Sequence, residues 1–156
     1  MARRIALRFA FTGFLMLTAA ATWAQPPGGQ QPPPVNPNAI VPGEFVIEPP
    51  TLINLGFEWF IQGDDNRNAS VAVTYRKKND TAWKNALPLL RLQGERIYGE
   101  SRVDFVAPNM FAGSILDLDP DSAYEAQFVV SDPDGVTGPA RKTVLVRTRP
   151  EPMPYA

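Results

Sequence analysis

Apolar and polar residues alternate along much of this chain, in short runs separated by residues typical of turns. In the clearest run, Leu55, Phe57, Trp59 and Ile61 fall on one face and residues such as Glu58 on the other. This period of two is typical of β-strands with one buried face. We predict strands at 44–48, 55–61, 71–76, 83–92 (broken at Pro88), 103–106, 111–118, 124–131 and 143–148. The pattern predicts an all-β domain of about seven antiparallel strands.

The turn before one of these strands carries a more specific pattern. Leu118 is followed by Pro120 and then by Tyr124, which opens the next strand. This spacing is typical of a tyrosine corner, in which the ring packs beneath the turn and its hydroxyl bonds to backbone a few residues upstream. We therefore expect structural roles for Leu118, Pro120 and Tyr124, and a core position for Trp59.

With the inward Trp59 and this corner, the region from about Phe45 to Thr148 resembles a fibronectin type III domain, which is an immunoglobulin-like β-sandwich. Several segments are also similar to the N-terminal module of large secreted bacterial proteins, in which such a domain precedes a right-handed parallel β-helix. These segments are 50–59, 63–68, 75–78, 86–90 and 109–114. The resemblance implies polysaccharide processing or cell-surface attachment for the β-helix domain that lies downstream in the family. We therefore infer no enzymatic activity for the sandwich domain from the resemblance.

The two ends of the chain differ in composition from its middle. Arg3, Arg4 and Arg8 precede an apolar run and small residues, which predicts a signal peptide at 1–24 and a secreted or periplasmic protein. The apolar run is shorter than the roughly 20 residues that span a bilayer, so we expect no stable membrane insertion. A linker rich in Pro, Gly and Gln follows at 25–43, then the domain at 44–149 and a short linker at 150–156.

Composition excludes several kinds of chemistry. The chain has no cysteine, which excludes disulfides and thiol catalysis. It also has no histidine, which is the commonest general base and the commonest transition-metal ligand in proteins. The predicted signal peptide contains three of the 15 basic residues and none of the 16 acidic ones, which leaves an acidic mature chain. This charge gives no support to a nucleic-acid partner. We predict no catalytic residues, no metal site and no cofactor.

Two groups of acidic residues are open to more than one interpretation. Asp64, Asp65 and Asn66 share one loop, where they either bind calcium or sugar or form a hydrogen-bonded structural loop. A second group flanks Pro120 in the corner turn and consists of Asp117, Asp119 and Asp121. These aspartates either bind calcium or cap nearby backbone N–H groups, and we favour the second interpretation.

Aromatic and apolar side chains provide the remaining candidates. Trp83, Tyr98 and Phe111 lie outside the clearest core strands, and we expect them to stack on sugar rings. An apolar docking surface is also possible on the outward faces of the strands. Its residues by alternation are Phe60, Val129 and Leu145.

The primary hypothesis from these features is a non-catalytic, exported β-sandwich module. It acts as a spacer, docking or accessory binding domain for a polysaccharide, a cell-surface partner or a neighbouring protein domain. The alternative hypothesis is that the chain is an autonomous carbohydrate-binding protein. A third hypothesis is that it is part of a secreted hydrolase.

Overall fold

A computed structural model of the chain describes residues 36–98 and 104–154. The predicted signal peptide at 1–24, most of the predicted linker and the last two residues lie outside the described residues. Within the described part the regular structure consists of ten β-strands. They are β1 Val41–Ile47, β2 Leu55–Gln62, β3 Ser70–Lys77, β4 Lys84–Asn85, β5 Leu90–Leu92, β6 Arg96–Tyr98, β7 Asp104–Val106, β8 Met110–Ile115, β9 Ala123–Ser131 and β10 Arg141–Arg147. No helix in this part is long and apolar enough to cross a membrane.

The strands form two four-stranded antiparallel sheets and one separate hairpin. Sheet I has the order β1-β2-β8-β5, and sheet II has the order β10-β9-β3-β4. The hairpin pairs β6 with β7. Strands close in sequence are divided between the two sheets, as in the Greek-key order of an immunoglobulin-like sandwich. The predicted all-β sandwich is therefore confirmed.

The core lies between the two sheets and is rich in aromatic rings. Phe45, Phe57 and Trp59 face inward from sheet I, and Phe128 meets them from sheet II. The ring centroid of Phe128 lies 4.7 Å from that of Phe57 and 4.9 Å from that of Phe45, which is contact distance for aromatic pairs. The alternation in the sequence thus predicted the buried face of β2, including Trp59.

The first strand begins earlier than predicted. β1 starts at Val41, whereas the predicted strand starts at Glu44. Ile40 is completely buried, and its backbone bonds to Gly135 and Thr137 in the loop between β9 and β10. Residues 40–43, which were predicted to belong to the linker, therefore pack with the sandwich.

The segment predicted as one strand at 83–92 forms two short strands on different sheets. β4 pairs with β3 in sheet II, and β5 pairs with β8 in sheet I. Pro88 has no N–H to donate to the ladder, but Leu89 still donates to the carbonyl of Val71 in β3, so the chain changes sheets between Leu89 and Leu90. Strand β6 has no counterpart among the predicted strands.

The corner before β9 has the predicted geometry. Tyr124 is buried, and its hydroxyl accepts a hydrogen bond from the backbone N–H of Asp119 at 2.9 Å. The same hydroxyl donates to the Asp119 carboxylate at 3.3 Å. Leu118 is also buried. The prediction of a tyrosine corner is therefore confirmed.

The outer strands of both sheets are short, irregular or charged. β4 has two residues and β5 has three. The pairing of β1 with β2 is interrupted between Pro42 and Phe45. β10 is longer, but Arg141, Lys142 and Arg147 are exposed along it.

Candidate functional site

The loop between β2 and β3 is organised by a buried carboxylate. Asp64 is 0% exposed, and one of its oxygens accepts hydrogen bonds from the backbone N–H groups of Asn68 and Ala69 at 2.9 and 3.0 Å. The other oxygen pairs with the guanidinium of Arg91. Arg91 stands in β5 opposite Phe111, so its side chain points between the sheets. All of these contacts match the interpretation of a hydrogen-bonded structural loop.

The neighbouring residues tie this loop to the turn between β9 and β10. The side-chain amides of Asn66 and Asn68 donate to one carboxylate oxygen of Asp134 at 2.7 and 2.9 Å. These two bonds favour the ionised form and lower the pKa of Asp134. Asp65 is exposed in the same loop. The described residues contain no group of three or more acidic side chains placed to hold a metal ion.

The structure corrects the prediction for Phe111. This residue is 1% exposed and belongs to the core, where it pairs across β2 with Trp59. Its ring is therefore not accessible to a ligand. The predicted strand placed Phe111 at its start, but the observed strand begins at Met110 and faces the ring inward. Tyr98 lies in β6 of the separate hairpin, and its side chain lies outside what the structure describes.

Trp83 is at the surface, next to the outer face of sheet II. Its side chain is 40% exposed, and the guanidinium carbon of Arg76 lies 4.6 Å from its ring centroid. Arg76 in turn forms an ion pair of 2.5 Å with Glu125 of β9. The arginine is thus fixed from two sides and holds the indole in place by a cation–π contact.

A line of uncharged polar side chains crosses the same face of sheet II. Thr74 pairs with Asn85 on one side and with Gln127 on the other, and Gln127 pairs with Thr143. Their neighbours along the strands, including Val73 and Phe128, belong to the core, so these four side chains point outward. We call Asn85, Thr74, Gln127 and Thr143 the polar row. With strands about 4.8 Å apart, the polar row spans roughly 14 Å.

The sequence indicates Trp83 as a candidate binding residue, which stays a prediction, but it does not reveal the polar row. The row joins strands that are distant in sequence, and only the register brings them side by side. The one signal in the sequence is the alternation within each strand, which places Thr74, Gln127 and Thr143 on outward faces. Arg91 was also missed, because its role depends on a loop that lies 27 residues earlier in the chain.

The predicted apolar docking surface is divided between the two sides of the sandwich. Phe60 lies in sheet I, whereas Val129 and Leu145 lie in sheet II. Val129 pairs with Arg141, and Leu145 pairs with Glu125, so they stand four residues apart along β9. The three side chains therefore do not form one surface.

Two of the three aspartates of the corner form ion pairs. Asp119 pairs with Lys77 at 3.1 Å, and Asp121 pairs with Arg147 at 2.8 Å. The hydrogen bond from Lys77 lowers the pKa of Asp119 and raises that of Lys77. These contacts support the structural interpretation of Asp119 and Asp121 in the turn.

A small cleft opens beside this corner, between the end of β8 and the segment that follows β4. Its volume is about 220 Å³. We call it the edge cleft. Its lining residues are Tyr75, Asn85, Ala86, Leu87, Ser114, Ile115, Leu116 and Asp117.

Comparison with known proteins gives little beyond the fold. No family model and no curated relative matches the chain. A structure from a computer-based redesign of a β-sandwich protein is similar to it, with a TM-score of 0.43 and 15% identity, over 70% of this chain and 95% of that chain. The assignment of the fold therefore rests on the strand order of the chain itself.

Proposed function

We propose that the sandwich domain, which comprises the predicted residues 44–149 together with residues 40–43, is a non-catalytic, exported module of the fibronectin type III kind, which serves as a spacer, docking or accessory binding domain for a polysaccharide or cell-surface partner. The tyrosine corner at Tyr124 and the strand order of the two sheets support the family. The observation that carries the binding role is the position of Trp83 beside the polar row on the open face of sheet II.

This face has the two features that sugar recognition needs. A sugar ring has an apolar C–H face, which packs well on a flat aromatic ring such as that of Trp83. Its hydroxyls are both donors and acceptors, and the hydroxyl and amide groups of the polar row can serve in both ways. Because the polar row crosses four strands in an extended line, it fits a linear chain of sugars better than a single compact molecule.

The arrangement of charges supports a binding role over a hydrolytic one. Glu125 stands two residues before Gln127 in β9, on the same face of sheet II, and its carboxylate is held by Arg76. The edge cleft has one carboxylate in its lining, that of Asp117, whereas a glycosidase uses a pair of carboxylates across the bond that it cleaves. We therefore do not propose that the polar row or the edge cleft hydrolyses a polysaccharide.

The test is binding to a panel of insoluble and soluble polysaccharides by pull-down and glycan array. Trp83→Ala should weaken binding by about tenfold, since loss of a stacking contact costs on the order of 1 kcal/mol or more. Trp83→Phe, which retains a flat ring, should keep part of the affinity. Met153→Ala is the matched control, because it removes an apolar side chain that is 88% exposed and distant in sequence.

Circular dichroism should show the same β-sheet spectrum for each variant. If Trp83→Ala binds every positive glycan as tightly as the unchanged protein, the polysaccharide surface is not on this face. If no glycan binds at all, the spacer or protein-docking role remains and the carbohydrate role is wrong.

A further inference from the structure

The outer face of sheet I is apolar, in contrast to the polar row on the outer face of sheet II. Phe60 of β2 pairs with Met110 of β8, which pairs in turn with Leu92 of β5. Trp59 and Phe111 belong to the core, so their neighbours along the strands point outward. By the same register six apolar side chains point outward, and we call them the apolar face. They are Val46, Phe60, Leu90, Leu92, Met110 and Ala112.

The apolar face is buried in part and open in part. None of its six residues belongs to the core cluster between the sheets. Met110 is nevertheless only 6% exposed, so it is buried on the outer side of sheet I, whereas Leu90 at the edge is 65% exposed. Outward residues of an antiparallel sheet in water are typically polar. An apolar outer face therefore indicates a surface that a partner covers.

Two glutamates give the apolar face a negative charge. Glu58 lies within it, between Val46 of β1 and Ala112 of β8, and is half-buried. Glu48 lies beside Gly56 at the end of the same face. Neither carboxylate has a hydrogen-bond or ion-pair partner within the described residues. A carboxylate among apolar side chains is most stable with a cation next to it.

Within the described strands of sheet I, no cation is available to these glutamates. The four strands contain one basic residue, Arg91, which points between the sheets and pairs with Asp64. Arg96 belongs to the hairpin of β6 and β7 and not to this sheet. A partner that carries Lys or Arg beside an apolar surface therefore complements the apolar face in both respects.

The dimensions of the apolar face suit a single helix. Its side chains lie in two adjacent rows across the sheet, up to roughly 14 Å long and 7 Å apart. An α-helix with a diameter of about 10 Å covers this area with about three turns. A second copy of the chain is a poor occupant, because a standard interface buries roughly 800 Å² per partner. Two copies would also bring their glutamates together.

We infer that the apolar face docks an amphipathic helix of a protein partner, with basic residues of that helix placed against Glu58 and Glu48. Phe60, Leu90 and Leu92 contact the apolar side of the helix. The inference adds a surface and a class of partner to the docking role in the proposed function. It does not depend on the carbohydrate role, which uses the outer face of sheet II.

Isothermal titration calorimetry with two matched peptides tests this inference. Each peptide has about 18 residues, or about five helical turns, with leucines along one side. One peptide carries lysines beside the leucines, and the other carries glutamates in the same positions. In low salt we expect the lysine peptide to bind the unchanged protein at least about fivefold more tightly, because only its charges are opposite to those of the apolar face.

Matched variants separate the apolar face from the rest of the surface. Leu90→Ser removes an exposed side chain of the face and should weaken the lysine peptide at least about fivefold. Leu145→Ser removes the same kind of side chain, 56% exposed on sheet II, and should leave binding unchanged. Glu58→Gln should reduce the preference for lysine, whereas Glu151→Gln in the exposed C-terminal segment should keep it. Circular dichroism checks that each variant is folded.

Several results would overturn the inference. They are no binding of the lysine peptide, equal affinity for the two peptides, and the same affinity in Leu90→Ser as in Leu145→Ser, which would indicate general attraction to an acidic chain. A dimer in sedimentation velocity that is lost in Leu90→Ser would show that a second copy covers the face. The effect of Trp83→Ala on glycan binding is independent of all these results, so the two proposals fail in distinguishable ways.

Discussion

The phenolic oxygen of Tyr124 lies 2.9 Å from the backbone nitrogen of Asp119 and accepts its hydrogen bond. This bond closes the turn that leads from sheet I to sheet II, at the place where the chain enters its longest strand, β9. Because Tyr124 is buried, water cannot replace the hydroxyl if it is removed. The corner is therefore both a marker of the fold and a source of its stability.

Replacing Tyr124 with Phe should destabilise the domain. The change keeps the ring and leaves the N–H of Asp119 without its partner, which should cost about 1–3 kcal/mol of unfolding free energy. Urea denaturation followed by tryptophan fluorescence measures the difference. Tyr75→Phe is the matched control, since the Tyr75 hydroxyl has no partner in the described part of the chain and its removal should change stability little.

Breaking the buried ion pair between Asp64 and Arg91 should be more harmful than breaking an exposed one. Removing one partner leaves the other charge buried, and such changes cost about 3–5 kcal/mol. We expect this loss for Asp64→Asn, because Arg91 has a side chain that is only 10% exposed. Arg147→Ala breaks the exposed pair with Asp121 and should cost less than about 1 kcal/mol. Equal losses for the two variants would show that Asp64 does not organise its loop.

Truncating Phe128 should leave a cavity in the core. Its ring is completely buried between those of Phe45 and Phe57, so Phe128→Ala should cost about 3–5 kcal/mol. Phe128→Leu fills most of the space and should cost less. Thermal unfolding by differential scanning calorimetry compares the two variants. A small effect of Phe128→Ala would contradict the aromatic core.

Stability should fall in acid because three carboxylates have lowered pKa values in the folded chain. The Lys77 hydrogen bond lowers the pKa of Asp119, the amides of Asn66 and Asn68 lower that of Asp134, and the Arg67 hydrogen bond lowers that of Glu95. A lowered folded pKa adds stability above the unfolded value, near 4, and this stability is lost as the pH falls through the folded value.

Urea midpoints measured between pH 7 and pH 2 should therefore be level down to about pH 5 and then decrease. In Asp134→Asn the midpoint should depend less on pH over this window, and in Glu151→Gln the dependence should stay unchanged. A midpoint that rises as the pH falls below 5 would contradict the assigned direction of these pKa values.

The sequence predicted the fold well because its signals are local. The alternation around Trp59 sets the inward face of β2 within eight residues. The spacing from Leu118 to Tyr124 defines the corner within a single turn. Neither prediction required knowledge of which strands pair. The same is true of the loop around Asp64, whose own backbone N–H groups supply two of its hydrogen bonds.

The candidate sites were harder to predict because they depend on pairing between distant strands. Phe111 was expected at the surface, and only its register opposite Trp59 reveals that it is buried. The polar row brings together Thr74, Gln127 and Thr143 from three strands. The edge cleft likewise joins Tyr75 of β3 to Ser114 of β8. No residue spacing within one segment of the sequence predicts that these residues are neighbours in the fold.

The outermost strands have a consequence for the behaviour of the protein at high concentration. A second molecule that extends a sheet needs a long, regular border of free N–H and C=O groups. Strands β4 and β5 have two and three residues, and the kink near Pro42 distorts β1. On β10 the side chains of Arg141 and Lys142 are exposed, and their positive charges repel the same residues on a second molecule. The outer strands of the two four-stranded sheets therefore disfavour sheet extension by a second molecule.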